Sequence, residues 1–203
     1  LEIIVVDDSS TDGTSAVVQS YVPKGVTHVV RENEKGIYSA HNLGVSRARG
    51  DLIAFLSGDD MWMPHKLEVQ ARALLQHPDF LLSTTYFSYM FDKEHQPSAR
   101  QIRDEQRKSM QTNLVMETLV ARKALFGQVG LFDPTYKVAG DVEWVARVRH
   151  LGIRSLVIEE PLLQKRLHAT NTTSVNAALN QQELIRALRQ ALHARPETDR
   201  KQK

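Results

Sequence analysis

The sequence predicts an α/β fold built around a parallel sheet, and three observations predict it. Residues 1–6 and 51–56 are runs of apolar and β-branched residues with almost no alternation, as in strands covered on both faces. Stretches of helical length and period stand between such runs, which implies crossover units. Two of the runs end in adjacent aspartates, Asp7-Asp8 and Asp59-Asp60. Those pairs fall at the carboxyl ends of strands, where open sheets of this kind bind ligands.

The elements follow in order. Residues 1–6 read as a buried strand that gives way to the polar turn Asp7-Asp8-Ser9-Ser10-Thr11-Asp12-Gly13. Thr11 or Asp12 suits the cap of a helix over about 13–22, stopped before Pro23-Lys24-Gly25. A short strand is expected at 26–30, a turn at Asn33-Glu34-Lys35-Gly36, and a helix from Ile37 to about Arg49, ended by Gly50. The strand at 51–56 stops at Ser57-Gly58-Asp59-Asp60. Pro64 opens a helix with apolar residues at Leu67, Val69, Ala71, Leu74 and Leu75, closed by His77-Pro78. One or two strands fill 80–91.

Residues 92–112 are dense in both charges and lack an apolar stripe, which reads as an exposed loop or surface helix. Strand-like alternation resumes at 114–120. A short helix is expected at 123–129, and a turn at Gly130-Leu131-Phe132-Asp133-Pro134. An amphipathic helix follows at 140–151, with Val142, Trp144, Val145 and Val148 inward. A strand at 153–158 and a last helix at 177–194 precede a charged tail from Arg195.

Composition narrows the function. The chain has 203 residues, 41% hydrophobic and 25% charged, which is the balance of a folded soluble domain. Lys plus Arg is 26 and Asp plus Glu is 24, and a net charge of +2 is too small to argue for a nucleic-acid partner. The absence of cysteine excludes a disulfide scaffold, a Cys-ligated metal and a thiol nucleophile. No apolar run approaches the roughly 18 residues that span a bilayer, and no signal peptide is evident. The first residue is Leu1, inside an apolar run, so the chain reads as a fragment whose beginning is missing.

The aspartate pairs carry the chemistry. Asp is common where a strand turns into a helix, so either pair alone is also ordinary turn chemistry. Two such pairs are harder to explain that way, because adjacent carboxylates repel unless a cation lies between them. Hard oxygen donors suit Mg²⁺ or Mn²⁺ shared with a phosphate. A third acid, Asp141, falls where a helix starts and serves equally as an N-cap or as a reactive carboxylate. Glu143 points elsewhere on that helix and reads as a solvated or supporting group. His168 stands alone in Arg166-Leu167-His168-Ala169-Thr170-Asn171, and a lone histidine is more often structural.

The segments from Ile3 to Thr14, Glu32 to Gly44 and Ala48 to Trp62, with Gly130-Leu131-Phe132-Asp133 and Gly140-Asp141-Val142-Glu143-Trp144, resemble family 2 glycosyltransferases in order and spacing. The resemblance spans most of residues 1–174. It implies the GT-A fold, a Rossmann-like, mostly parallel central sheet flanked by helices. The domain would run over 1–176, with a nucleotide-binding half to about 90 and an acceptor half from 91, followed by a helix and tail at 177–203. It implies an inverting enzyme that moves a sugar from a nucleotide-diphosphate sugar, a UDP-sugar, to a hydroxyl of a glycan or lipid-linked acceptor in surface polysaccharide or lipopolysaccharide synthesis. Asp141 would be the catalytic base. Asp7, Asp8, Lys35, Gly36, Asn42 and Asp59 would bind the nucleotide sugar, and Asp60 and His168 would hold Mg²⁺ or Mn²⁺. The location implied is cytoplasmic, with peripheral association at the inner membrane face as an option.

Two other readings compete. A non-catalytic sugar-nucleotide or glycan-binding module would keep the fold and dispense with Asp141. A response-regulator receiver also carries an Asp pair after its first strand, but it needs a lysine after a late apolar strand, and Lys108 sits in a polar run.

Overall fold

The computed structural model describes residues 1–32, 36–91, 115–168, 171 and 175–193. Strands β1 (Ile3–Asp7) and β2 (Val26–Val30) pair in parallel. They are joined by helix α1 (Thr14–Gln19) and a 3₁₀ turn at Val22–Lys24. Helix α2 (Ile37–Arg47) leads to β3 (Leu52–Ala54), β4 (Met61–Trp62), α3 (Lys66–Gln76) and β5 (Leu82–Phe91). A 3₁₀ turn at Met116–Thr118 precedes β6 (Val120–Arg122), α4 (Ala124–Val129), α5 (Gly140–His150), β7 (Ser155–Leu167) and α6 (Ala177–His193).

The second sheet runs β3-β6-β5-β7-β4. The parallel pairings are the long ones, β1 with β2 and β5 with β7. Three short antiparallel pairings were not foreseen: β3–β6, β5–β6 and β4–β7. Of these, β4–β7 brings Lys165 beside Asp60.

The core is an aromatic cluster. Trp144 is fully buried, stacks on Phe126 at 5.1 Å between ring centroids, and lies 5.3 Å from Phe132. Its indole N–H donates to the Gly130 carbonyl at 2.9 Å. Gly130 has φ 86, so the turn that presents this carbonyl needs glycine. The C-terminal helix joins the same core through Ala187.

Several expectations are corrected. Strand β1 is only half-buried, with Ile3 at 46% exposure, because within the described chain it pairs along one edge only. The inward face of α3 is Lys66, Gln70 and Leu74, at the i, i+4, i+8 spacing, while Leu75 is exposed. Of the apolar residues expected on this helix, Leu74 is fully buried and Leu67, Val69 and Ala71 are half-buried, and two polar side chains complete the buried face. The alternation at 114–120 is largely a 3₁₀ turn, and the strand begins only at Val120. Val142 is an exposed residue of α5 rather than an inward one. Strand β7 continues well past 158. Its register against β5 shifts between Thr85 and Phe87, where Pro161 alone pairs with Tyr86 and Glu159, Glu160 and Leu162 are the extra residues. The charged run at 92–112 and Lys35 lie outside the described residues.

Candidate active site

The first aspartate pair is held by its own neighbourhood. Asp7 ends β1 and is almost fully buried. Its carboxylate accepts the Ser10 amide at 2.9 Å and the Ser15 hydroxyl, with His28 Nε2 3.6 Å away. The hydrogen bonds from Ser10 and Ser15 hold its carboxyl at about 2. Asp8 turns the other way, accepts the Gly36 amide at 2.7 Å and pairs with Arg31 at 3.0 Å. Arg31 also donates to the Gly36 carbonyl and to Ser39. Gly36, at φ 147, is the N-cap of α2, a backbone conformation that side-chain-bearing residues rarely adopt. The turn after β1 and the start of α2 are thus tied into one recess.

The second pair is held from far along the chain. The β4–β7 register sets Met61 opposite Gln164 and Trp62 opposite Leu163. Carried back by one residue, it sets Asp60 opposite Lys165. Lys165 Nζ lies 3.1 Å from Asp60 Oδ2, and the Arg166 amide donates to Oδ1 at 2.9 Å. Burial pushes the Asp60 carboxyl above its ordinary value, and Lys165 opposes that shift. Burial works against the Lys165 charge, but Glu117 and Asp60 outweigh it and hold the ammonium above its usual range. Asp59 faces outward, with its Oδ2 3.0 Å from His168 Nε2.

Asp141 lies in the first turn of α5, one residue past the first helical position, and the N-cap is Ala139. Asp141 is thus not the N-cap, although its carboxylate accepts the Val142 amide of the same turn at 2.9 Å. Glu183 of α6 accepts the amides of Lys137, Val138 and Ala139 at 2.8, 2.8 and 2.9 Å, and so closes the helix start from a distant segment. The single Tyr38 hydroxyl proton is shared between the Val138 carbonyl at 2.7 Å and the Asp141 carboxylate at 3.2 Å. Burial raises its carboxyl above the ordinary value and Glu117 adds to this, while the Val142 amide and Tyr38 oppose it. Burial and the Asp141 charge in turn push the Tyr38 phenol well above its normal range. A Cβ at Gly140 would stand 2.7 Å from the Tyr38 ring, which explains why no side chain precedes Asp141. Glu143 is not solvated. It is buried and pairs with Arg147, whose guanidinium also holds the Val129 and Leu131 carbonyls.

Helix α2 connects these groups, since Gly36 touches Asp8 and Tyr38 touches Asp141. Glu117 connects the rest. It accepts the Ser57 hydroxyl, lies 3.8 Å from Lys165, and its charge is felt at Asp60, Asp141, His41 and Lys66. Asn42 lies on α2. Its carboxamide grips the backbone of Phe132, donating to the carbonyl at 2.8 Å and accepting the amide at 2.9 Å. Sequence reasoning missed Arg31, Glu117, Lys165 and the fully buried Lys66, whose Nζ sits 4.5 Å over the Trp62 ring without a hydrogen-bond partner among the described residues. Lys66 could have been found from its i+4 spacing with Gln70, and Arg31 from its place just before the Gly36 turn; Glu117 and Lys165 depend on long-range pairing. Among the described residues, no group of three or more His, Asp or Glu side chains could hold a metal ion.

Comparison with known proteins identifies the family. A family model described as glycosyl transferase family 2 matches residues 1–129. An uncharacterized glycosyltransferase of Rickettsia typhi is 32% identical over 200 residues, 93% of this chain and 61% of the relative. The chain thus spans about three-fifths of that relative's length. The Bacillus subtilis protein TuaG, whose name assigns it to teichuronic acid biosynthesis, is 39% identical over 77 residues, 37% of this chain and 31% of TuaG. Among solved structures, Staphylococcus aureus TarS 1–349 in complex with UDP-GlcNAc superposes with a TM-score of 0.72 at 19% identity, over 95% of this chain and 57% of that one. The mannosyltransferase PcManGT of Pyrobaculum calidifontis, in complex with GDP-Man and Mn²⁺, gives 0.68 at 16% identity, over 96% and 59%. The family match replaces the receiver reading. The chain belongs to glycosyl transferase family 2, and its fold is the GT-A fold of those enzymes.

Proposed function

We propose that the chain transfers a sugar from a UDP-sugar to a hydroxyl of a glycan or lipid-linked acceptor, with inversion, in surface polysaccharide assembly. The observation that carries this is Asp141, a carboxylate whose basicity is raised by burial, steadied by Tyr38, and linked through α2 to the Asp7–Asp8 recess. A carboxylate of raised pKa is the stronger general base for a hydroxyl acceptor. One such base suffices for a single displacement, which inverts the anomeric centre. TarS binding UDP-GlcNAc and the naming of TuaG support the donor and the pathway class.

In this reading Asp8 and Gly36 meet the nucleoside, Asp7 stiffens the turn beneath them, and Asp59 meets the ribose or sugar. Asn42 serves as a strut that holds the Phe132 segment against α2, and Lys35, next to Gly36 in sequence, is given to the donor by the family resemblance. The family resemblance implies Mg²⁺ or Mn²⁺ at Asp60 and His168. The residues present do not fit that ion: both Asp60 oxygens already carry partners, and His168 is turned onto Asp59. Among the described residues, no helix is long and apolar enough to cross a membrane.

Calorimetry with UDP, GDP, UDP-GlcNAc and GDP-mannose tests the reading. Binding of the uridine nucleotides with release of UDP over time is expected. Binding without release would favour the non-catalytic module, and binding of none of the four would contradict both.

A further inference from the structure

We propose that Lys165 stands where the resemblance places a divalent ion, as a built-in cation set against Asp60 that meets the donor diphosphate itself. The inference rests on the nucleoside-diphosphate reading above and concerns the same site.

Four observations carry it. The pairing is fixed by strand register, because the β4–β7 ladder that sets Met61 opposite Gln164 brings Lys165 to Asp60. The Asp60 side chain is wholly buried, whereas Lys165 retains 29% exposure, so a ligand arriving from solvent reaches the lysine and not the carboxylate. Each Asp60 oxygen has its own donor, Lys165 Nζ at 3.1 Å and the Arg166 amide at 2.9 Å. An ion of the Mg²⁺ or Mn²⁺ class needs open oxygen donors in a near-octahedral set, and here the other expected ligand, His168, is 3.0 Å from Asp59 instead.

The surroundings fit a resident cation. Glu117 flanks the ammonium at 3.8 Å and holds it from a second side. Three carboxylates, Asp59, Asp60 and Glu117, stand among three basic side chains, Lys165, Arg166 and His168, so the cluster supplies its own counter-charge. An ammonium has three N–H groups and Asp60 takes one, which leaves donors for phosphate oxygens.

The test has one arm with nucleotide and one without. UDP is titrated by calorimetry into the wild type in EDTA and again in excess Mn²⁺. The affinities should agree within about threefold, and Lys165→Met should bind UDP about tenfold or more weakly in EDTA. A wild type that loses about tenfold or more in EDTA, or a folded Lys165→Met that binds UDP as well as the wild type there, would overturn the proposal. In the second arm Mn²⁺ alone is titrated into wild type and Asp60→Asn, followed by electron paramagnetic resonance. Equal, weak binding to both is expected, and distinctly tighter binding to the wild type would overturn the lysine's role. Should neither UDP nor GDP bind under any condition, the nucleoside-diphosphate reading and the donor half of this proposal fall together. The Mn²⁺ arm still decides which cation serves Asp60.

Discussion

The two aspartate pairs look alike in sequence and are built in opposite ways. Asp7-Asp8 is satisfied by groups within about 30 residues: Ser10, Ser15, His28, Arg31 and Gly36. Asp59-Asp60 is satisfied by residues more than 100 positions later, Lys165, Arg166 and His168. The electrostatic outcomes differ in sign as well. Hydrogen bonds pull the Asp7 carboxyl down to about 2, whereas burial pushes Asp60 up despite its lysine. A carboxylate wrapped in local donors is a structural fixture. One that is buried and balanced by a single distant cation is sensitive to whatever approaches that cation.

Substitutions can break or sharpen this contrast. Asp60→Asn should have the largest effect on stability, about 3 kcal/mol by chemical denaturation, because it leaves the Lys165 charge without its closest partner. Glu117 at 3.8 Å softens the loss. A smaller loss than that of Asp7→Asn would reverse the comparison.

Gly140→Ala comes next. Its Cβ would press on the Tyr38 ring at 2.7 Å and on Tyr136, at a cost of about 2 kcal/mol. Displacing Tyr38 should also slow turnover, because that hydroxyl donates to Asp141. A variant of normal stability and rate would show that this contact is loose.

Asp7→Asn should cost roughly 1–2 kcal/mol at neutral pH. Its folded carboxyl value, about 2, lies below the unfolded one. The stability it provides is therefore complete above about pH 5 and lost as pH falls towards the folded value. Thermal melts of wild type and variant should converge in acid; a gap that persists there would deny the Ser10 and Ser15 bonds their role. Gly36→Ala should be the mildest, about 1 kcal/mol. The added methyl would find only Ser39 Oγ at 3.5 Å, so the cost is that of the φ of 147 alone.

What could be read from the sequence follows the same division. The elements around Asp7-Asp8 were legible because their signals are local: β-branched runs, the Ser- and Asp-rich turn, and glycine before α2. Helix α5, with Asp141 at its head, was legible from its period and from the Trp144 anchor. The partners of Asp60 were not, because Lys165 lies in a strand whose second half is hidden behind Glu159-Glu160-Pro161 and becomes visible only once paired with β4. Lys66 and Gln70 were passed over because buried polar residues violate the apolar pattern used to choose a helix face. Glu183 acts on the start of α5 from 44–46 residues away, and no local signal announces that.

The central claim is that Asp141 is the base of a sugar transfer whose donor is held elsewhere. It is tested most directly by Asp141→Asn in a paired measurement, UDP affinity by calorimetry and UDP release from the donor sugar that binds. Affinity should stay within about twofold of wild type while release falls by about 10²-fold or more, with the fold intact by circular dichroism. Near-normal release at unchanged affinity would contradict the account and place the base at another residue.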